Sequence, residues 1–559
     1  MARVSGLTDL ARVGFSDLER ASVGLDELST LTGIERAQLL TDVTVAADAD
    51  EALDALVKVA RRDAEAVRVV MSDGHGRLVA WRLLGASRGF GTFYLRRPTS
   101  FSLLVEQAAT LPTAAALQEA LLAAVGARAG FSELPTDEAV LALRIAYREQ
   151  LARIAAFDLL ADDPVEALKP VAAALADAAG AALEASLAIA RTSVTAGMAA
   201  HPRERVAATR FAIIGMGKAG ARELNYVSDV DVIFVAGSAD EDVVTEQHAL
   251  QIANRLAILT MRGISEVDIE PPLWEVDANL RPEGKQGALV RTLTSHEAYY
   301  DRWAHTWEFQ ALLKARPLAG DPDLGAAYVA MVSPRVWTIA SHENFVENVQ
   351  RMRERVTDHI PPADVPYQLK LGPGGIRDIE FTVQLLQLVH GVSDDALRAR
   401  GTLDALDALV AGGYIGREDG AAFARDYRVL RVMEHRLQLG NLARTHLMPR
   451  TETGMRVLAR SSGLADGPGA LTKLWDGVKR EVRDIHVRLF YRPLLSAVAA
   501  IPEDQRSLTT DEAEARLRAS GFRNPRGALG HIRALTSGIS RRANIQRHLM
   551  PVMLRWFEM

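Results

Sequence analysis

The stretch Phe211 to Val235, FAIIGMGKAGARELNYVSDVDVIFV, constrains this chain more than any other. An apolar run, Phe211 to Ile214, breaks at Gly215, Gly217 and Gly220, and a second apolar run carries Asp229 and Asp231. That order predicts a strand, a glycine turn with a short helix, and a second strand. Strand side chains alternate, so Asp229 and Asp231 share one face while Val230 and Val232 take the other. An Asp-x-Asp alone also describes a solvated acidic loop, and a Gly-x-Gly alone is as common. Their combination says more, because two acids in an apolar strand are costly to bury without a cation. A hard divalent cation such as Mg²⁺, held by carboxylates and by phosphate oxygens, meets that need. Glycines in the preceding turn let backbone N–H groups approach the same phosphate. The glycines do not open a long βαβ unit, which argues against a dinucleotide site.

At 559 residues the chain exceeds one ordinary core, and two to four domains are expected. The composition, 48% hydrophobic and 24% charged, is globular. A net charge of −6 gives no basic footprint for nucleic acid. Without cysteine there are no disulfides or thiolate metal sites, which fits a reducing compartment. No secretory signal pattern is visible, and the apolar region Val171 to Ala190 is interrupted by Asp177 and Glu184. It reads as a buried helix and not a membrane span, so a cytoplasmic protein without membrane attachment is expected.

The fold class expected is α+β: a mostly helical chain with a small mixed sheet between helical regions. Its parts are a helical region over 1–160, a catalytic domain over 161–330 and a helical bundle over 331–559. In the first, Glu51 to Arg62, Ala114 to Ala127 and Asp137 to Leu160 carry apolar residues at helical spacing, with Thr113 and Thr136 as N-caps and Gly126 and Gly130 as terminators. Glu246 to Arg262 predicts a helix on the sheet. Leu273 to Asp277 predicts a strand in which Glu275 and Asp277 share a face. Asp277 alone reads either as a strand-end acid capping a turn or as a further metal-site carboxylate. The loop Leu280 to Gly287 is either a solvated turn or a phosphate contact through Arg281. Tyr299, Tyr300, Trp303, Trp307 and Phe309 read as core on a helical stretch that Pro317 stops. Lys370 and Arg377 flank the glycines of Leu369 to Gly375. That loop is either an interdomain turn or an anion site at the start of a helix bearing Glu380, Gln384 and Gln387. Asn344 to Val356, Phe423 to Leu439, Ala470 to Leu489 and Asp511 to Ala519 read as helices. His435, His446, His486, His531 and His548 lack i,i+4 pairing and read as structural, not zinc-binding.

Gly215-Met-Gly-Lys-Ala-Gly220, Glu223-Leu-Asn225 and Ser228-Asp-Val-Asp231 resemble the signature of the glutamine synthetase adenylyltransferase/adenylyl-removing enzymes, members of the DNA polymerase β-like nucleotidyltransferase superfamily. Val276-Asp277, Leu280-Arg281-Pro282 and Gly284 resemble a second family pattern, with Asn279 where many relatives have arginine. The loop Lys370 to Phe381 resembles a third. The resemblance implies Mg²⁺ on Asp229, Asp231 and Asp277. It also implies nucleotide and phosphate contacts from Gly215, Gly217, Lys218, Ser228, Arg281, Lys370 and Arg377, with Lys314 and Arg316 as a nearby basic pair. Leu84-Gly-Ala-Ser87, Arg96-Arg-Pro98 and Leu143 to Arg148, with the closing Leu554 to Phe557, resemble the amino-terminal, adenylyl-removing half of these two-half enzymes. Leu489 to Leu495 resembles a helix end of the family, and no second glycine turn with Asp-x-Asp occurs. The implied reaction is phosphorolysis of adenylyl-tyrosine on glutamine synthetase, releasing ADP. ATP-dependent adenylylation and a regulatory module sensing PII protein and glutamine remain as alternatives; a nucleic-acid transferase does not fit the acidic balance.

Overall fold

The computed structural model describes residues 7–107, 110–198, 201–342, 344–491, 526–527 and 530. The expected helix Asp511 to Ala519, His531, His548, the segment Leu554 to Phe557 and the end of the Leu489 to Leu495 pattern lie outside them.

The two apolar runs form an antiparallel pair, β1 (Thr209–Gly215) and β2 (Val230–Ser238), with Gly215 opposite Val232 and Thr209 opposite Ser238. β3 (Val276–Asp277) and β4 (Val290–Arg291) lie parallel to β2, and β5 (Arg316–Gly320) lies antiparallel to β1. The sheet is therefore mixed, ordered β3-β2-β1-β5 with β4 also on β2. Alternation along the central strands divides them between two cores. Phe211, Ile213, Val230, Val232 and Phe234 enter a core shared with the preceding helices, and the Phe211 and Phe234 rings stack at 5.6 Å. Ala212, Ile214, Ile233 and Val235 face a second core built on Tyr328, Trp337, Leu385 and Phe490. A sheet covered on both faces needs continuous apolar strands, so Asp231 stands out as the acid inside one.

The first core reaches from Leu10 to Val290 and takes in Leu439. Its central helices are α1 (Thr136–Leu160), α2 (Pro164–Ala196) and α3 (Glu246–Ser265). Among the described residues α2 alone is long and apolar enough to cross a membrane, yet most of it is buried inside the protein. A third core, from Leu369 to Ile485, joins α5 (Ile376–His390), α6 (Arg417–Asn441) and α7 (Pro468–Tyr491); α4 (Pro322–Thr338) covers the sheet in the second core.

Several local expectations are corrected. Pro317 does not stop a helix: the helix Thr306–Leu312 ends earlier, and Pro317 lies in edge strand β5 at a register shift, where a residue without an N–H is tolerated. Only Val276 and Asp277 of the expected strand pair with β2. Thr113 caps its helix, but Thr136 is the first helical residue after Pro135. Gly126 and Gly130 both have positive φ and serve the two-stranded hairpin Ala127–Arg128/Phe131–Ser132 that follows the helix ending at Ala124. Tyr299, Tyr300 and Phe309 are core, whereas Trp303 is 71% exposed and Trp307 40%.

Candidate active site

The glycine turn and the carboxylates meet at one end of the sheet. Asp231 pairs in register with Asp277 across β2 and β3, so the two carboxylates leave adjacent parallel strands at the same level. Asp229 immediately precedes β2. The turn is latched to the strand by the Met216 N–H, which donates to the Asp231 carbonyl at 2.8 Å. Gly217 has φ +51°, and a Cβ there would lie 2.7 Å from Asp231 Oδ2, so both backbone and space demand glycine. At Gly220 a Cβ would lie 2.0 Å from the Lys314 carbonyl. Gly215 ends β1, and Ser228 is half-buried just ahead of Asp229.

Burial raises the Asp231 carboxyl to about 6, helped by repulsion from Asp277 and Asp229 and only partly offset by Lys370 and Arg377. This is a locus short of positive charge. Asp277 accepts from the Asn279 N–H at 2.7 Å, and Asp229 is bound at both oxygens by Arg444 Nη1, each at 2.7 Å. Among the described residues no three acidic or histidine side chains are already gathered as a metal-binding group. The donor set nonetheless suits a hard dication, being all carboxylate and mutually repulsive.

The expected cations divide into two kinds. The Lys370 ammonium makes no hydrogen bond or ion pair among the described residues, and it is half-buried near Arg377 and Glu380. Arg377 uses Nη1 on Glu380 at 3.2 Å. Lys370 remains available to an anion, whereas Arg377 is shared with Glu380. Lys218 donates to Asn225 at 2.8 Å and to Glu434 at 3.0 and 3.1 Å. Arg281 staples its own loop, bonding the carbonyls of Gly287, Ala278 and Lys285. Arg316 holds the carbonyls of Ala219 and Gly220, and Lys314 pairs with Glu223. Arg281 also borders an open cavity of about 610 Å³ with Trp303 and Trp307.

A buried network supports the turn from behind, and the sequence reading missed its far side. Arg431 donates to the Glu223 carbonyl at 2.7 Å and to Asn225 at 3.0 Å, Glu434 takes Lys218, and Gln438 accepts from the Val227 N–H at 3.1 Å. Arg431, Glu434, His435 and Gln438 fall at i, i+3, i+4 and i+7 on α6 and are all buried. That periodicity was the available signal, and it ordinarily marks a solvated face. Burial pushes Glu434 up, but Lys218 and Arg431 hold it well below the carboxylate range; Glu380 is likewise drawn down to about 2 by Arg377 and three lysines. Arg436 and Tyr226 both bind Asp158, Tyr226 at 2.8 Å. Arg144 and Arg148 hold the carbonyls of Gly263, Glu270, Pro271 and Pro272 on the approach to β3.

Residues 79–331 match the family described as glutamate-ammonia ligase adenylyltransferase, and residues 343–490 match that described as GlnD PII-uridylyltransferase. The first match covers the sheet, the glycine turn and the three carboxylates, and its description is that of an adenylyltransferase. Among curated proteins the chain is 58% identical, over 99% of its length, to the bifunctional glutamine synthetase adenylyltransferase/adenylyl-removing enzyme of Leifsonia xyli subsp. xyli, of which it covers 55%. It is 46% identical to that of Streptomyces coelicolor over 99% of its length, covering 54% of that protein, and 43% identical to that of Cutibacterium acnes over its full length, covering 56%. The chain is similar to these enzymes along nearly its whole length and spans about half the length of the curated relatives it matches.

Proposed function

We propose that this chain is the adenylyl-removing half of such an enzyme, acting on glutamine synthetase in the cytoplasm. In the proposed reaction an oxygen of inorganic phosphate attacks the adenylyl phosphorus, the bond from phosphorus to the tyrosine oxygen breaks, the tyrosine regains its proton, and ADP leaves. The observation that carries the reading is the register pairing of Asp231 with Asp277 beside the glycine turn, with the Lys370 ammonium making no hydrogen bond among the described residues. Asp229, Asp231 and Asp277 would hold Mg²⁺, which supplies charge neutralisation at the phosphate oxygens. Gly215, Gly217 and Ser228 would border the adenylyl phosphate. Lys218 and Arg281 act from behind by holding the turn and the following loop in shape. The direction of the reaction is supported by the resemblance of Leu84 to Ser87, Arg96 to Pro98 and Leu143 to Arg148 to the amino-terminal half. PII protein is a proposed partner because residues 343–490 match a PII-uridylyltransferase. Glutamine is a proposed effector of the same control.

The test is ADP release from adenylylated glutamine synthetase with Mg²⁺ and phosphate, using the Asp229→Asn, Asp231→Asn double variant as control. Phosphate-dependent ADP lost in the variant supports removal. AMP transfer from ATP onto the unmodified synthetase, without ADP release, would replace it with the forward reaction. Silence in both assays, with and without PII protein, would leave a sensing module.

A further inference from the structure

Arg444 lies where no side chain of the proposed reaction requires one. It follows α6 on a short segment whose position is fixed at several points. Leu442 adopts φ +47°, a left-handed conformation that a leucine takes only where its surroundings hold it. Gly89 permits its close approach, since a Cβ there would lie 2.6 Å from Leu442 Cγ. Gln438 donates to the Thr445 carbonyl at 3.2 Å. Beyond Arg444, the His446 carbonyl accepts from the Leu369 N–H at 3.0 Å and the Met448 N–H donates to Tyr367 at 2.9 Å. The segment carrying Arg444 is thus joined to the one that delivers Lys370. The Arg444 guanidinium reaches both oxygens of Asp229, yet the pair is open to solvent, with side-chain exposures of 55% and 23%. An exposed ion pair on a long side chain is weak and readily exchanged.

We infer that Arg444 is an exchangeable internal counter-cation: it neutralises Asp229 until a divalent cation takes that carboxylate, and the released guanidinium then binds the reacting phosphate beside Lys370. A dication at the Asp229 oxygens would repel the guanidinium that lies 2.7 Å from both of them, so metal and phosphate binding become interdependent. The guanidinium fork suits a phosphate as well as a carboxylate. The inference rests on the reading of Asp229 as a metal ligand.

The experiment measures Mg²⁺ affinity by calorimetry and phosphate KM at saturating Mg²⁺ in the wild type, Arg444→Gln and Arg444→Lys. Loss of the competing cation in Arg444→Gln should tighten Mg²⁺ about threefold or more and raise phosphate KM about tenfold, with Arg444→Lys between the two. Unchanged or weaker Mg²⁺ binding in Arg444→Gln overturns the exchange. Tighter Mg²⁺ binding with an unchanged phosphate KM overturns the transfer of the guanidinium to substrate. Asp229→Asn in the same titration separates the two levels. If it leaves Mg²⁺ affinity intact, the metal-site reading itself fails; if it weakens Mg²⁺ while Arg444→Gln changes nothing, only the counter-cation role fails.

Discussion

The molecule packs carboxylates against one another in two places, with opposite electrical outcomes. At the sheet end burial, with repulsion from Asp277 and Asp229, pushes Asp231 up to about 6. Behind the glycine turn Glu223, Glu380 and Glu434 lie deeper, yet Glu380 is drawn down to about 2 and Glu434 further because Lys218, Lys314, Lys370, Arg377 and Arg431 interleave with them. Burial is common to both; the number of neighbouring cations decides the sign. A cluster left short of positive charge is built to receive some, and a cluster already balanced is built to hold a shape.

That contrast can be broken most forcefully at Asp231. Asp231→Asn should lower the proposed adenylyl removal about a thousandfold, while its metal-free unfolding midpoint stays level or rises because repulsion is relieved. A midpoint that drops by several degrees would make Asp231 a structural acid. Glu434→Ala should do the reverse. Stranding Lys218 and Arg431 in the interior should cost about 3–5 kcal/mol in urea unfolding, and a loss under about 1 kcal/mol would show that the network is not balanced as described.

The two regions should also answer acid differently. Burial, with Arg431 second, pushes His435 down to about 3, and burial pushes His486 to about 4. The unfolded chain therefore binds more protons below pH 6.5, and each histidine should remove up to about 2 kcal/mol of stability by pH 5. Asp231 has the opposite sign, because its raised folded value lets the folded state bind the extra proton as pH falls through 6, which offsets part of that loss. Unfolding midpoints between pH 7 and 5 should fall more steeply in Asp231→Asn than in the wild type; parallel curves would sink the assignment. The smallest effect is at Gly217→Ala, where positive φ costs about 1 kcal/mol, with a further loss of activity as Asp231 is displaced. Unaltered kinetics there would mean the turn does not set that carboxylate.

Much of the carboxylate site could be read in the sequence because it is local. β1, the glycine turn and β2 lie within one stretch, and the alternation of Asp231 with Val230 and Val232 follows from strand geometry alone. Asp277 required knowledge of which strands pair. The supporting network was invisible for another reason: Lys218 and Glu434 are 216 residues apart, and a charged stripe on a helix looks the same whether it meets water or another charge. Pro317 shows the converse error, a helix-stopping residue that the open edge of β1 recruits into a strand. Arg281 and Lys218 carry the charge expected of phosphate ligands, but where that charge is already engaged depended on carbonyls and carboxylates brought in by the fold.

Glu434 on Lys218, Arg431 on Asn225 and Arg436 on Asp158 have a consequence for heredity. The two stretches that match separate families, 79–331 and 343–490, each own half of every one of these pairs. Neither stretch can be exchanged by recombination for a counterpart from elsewhere without leaving unmatched ions in its interior. A change on one side of a pair therefore calls for a complementary change on the other.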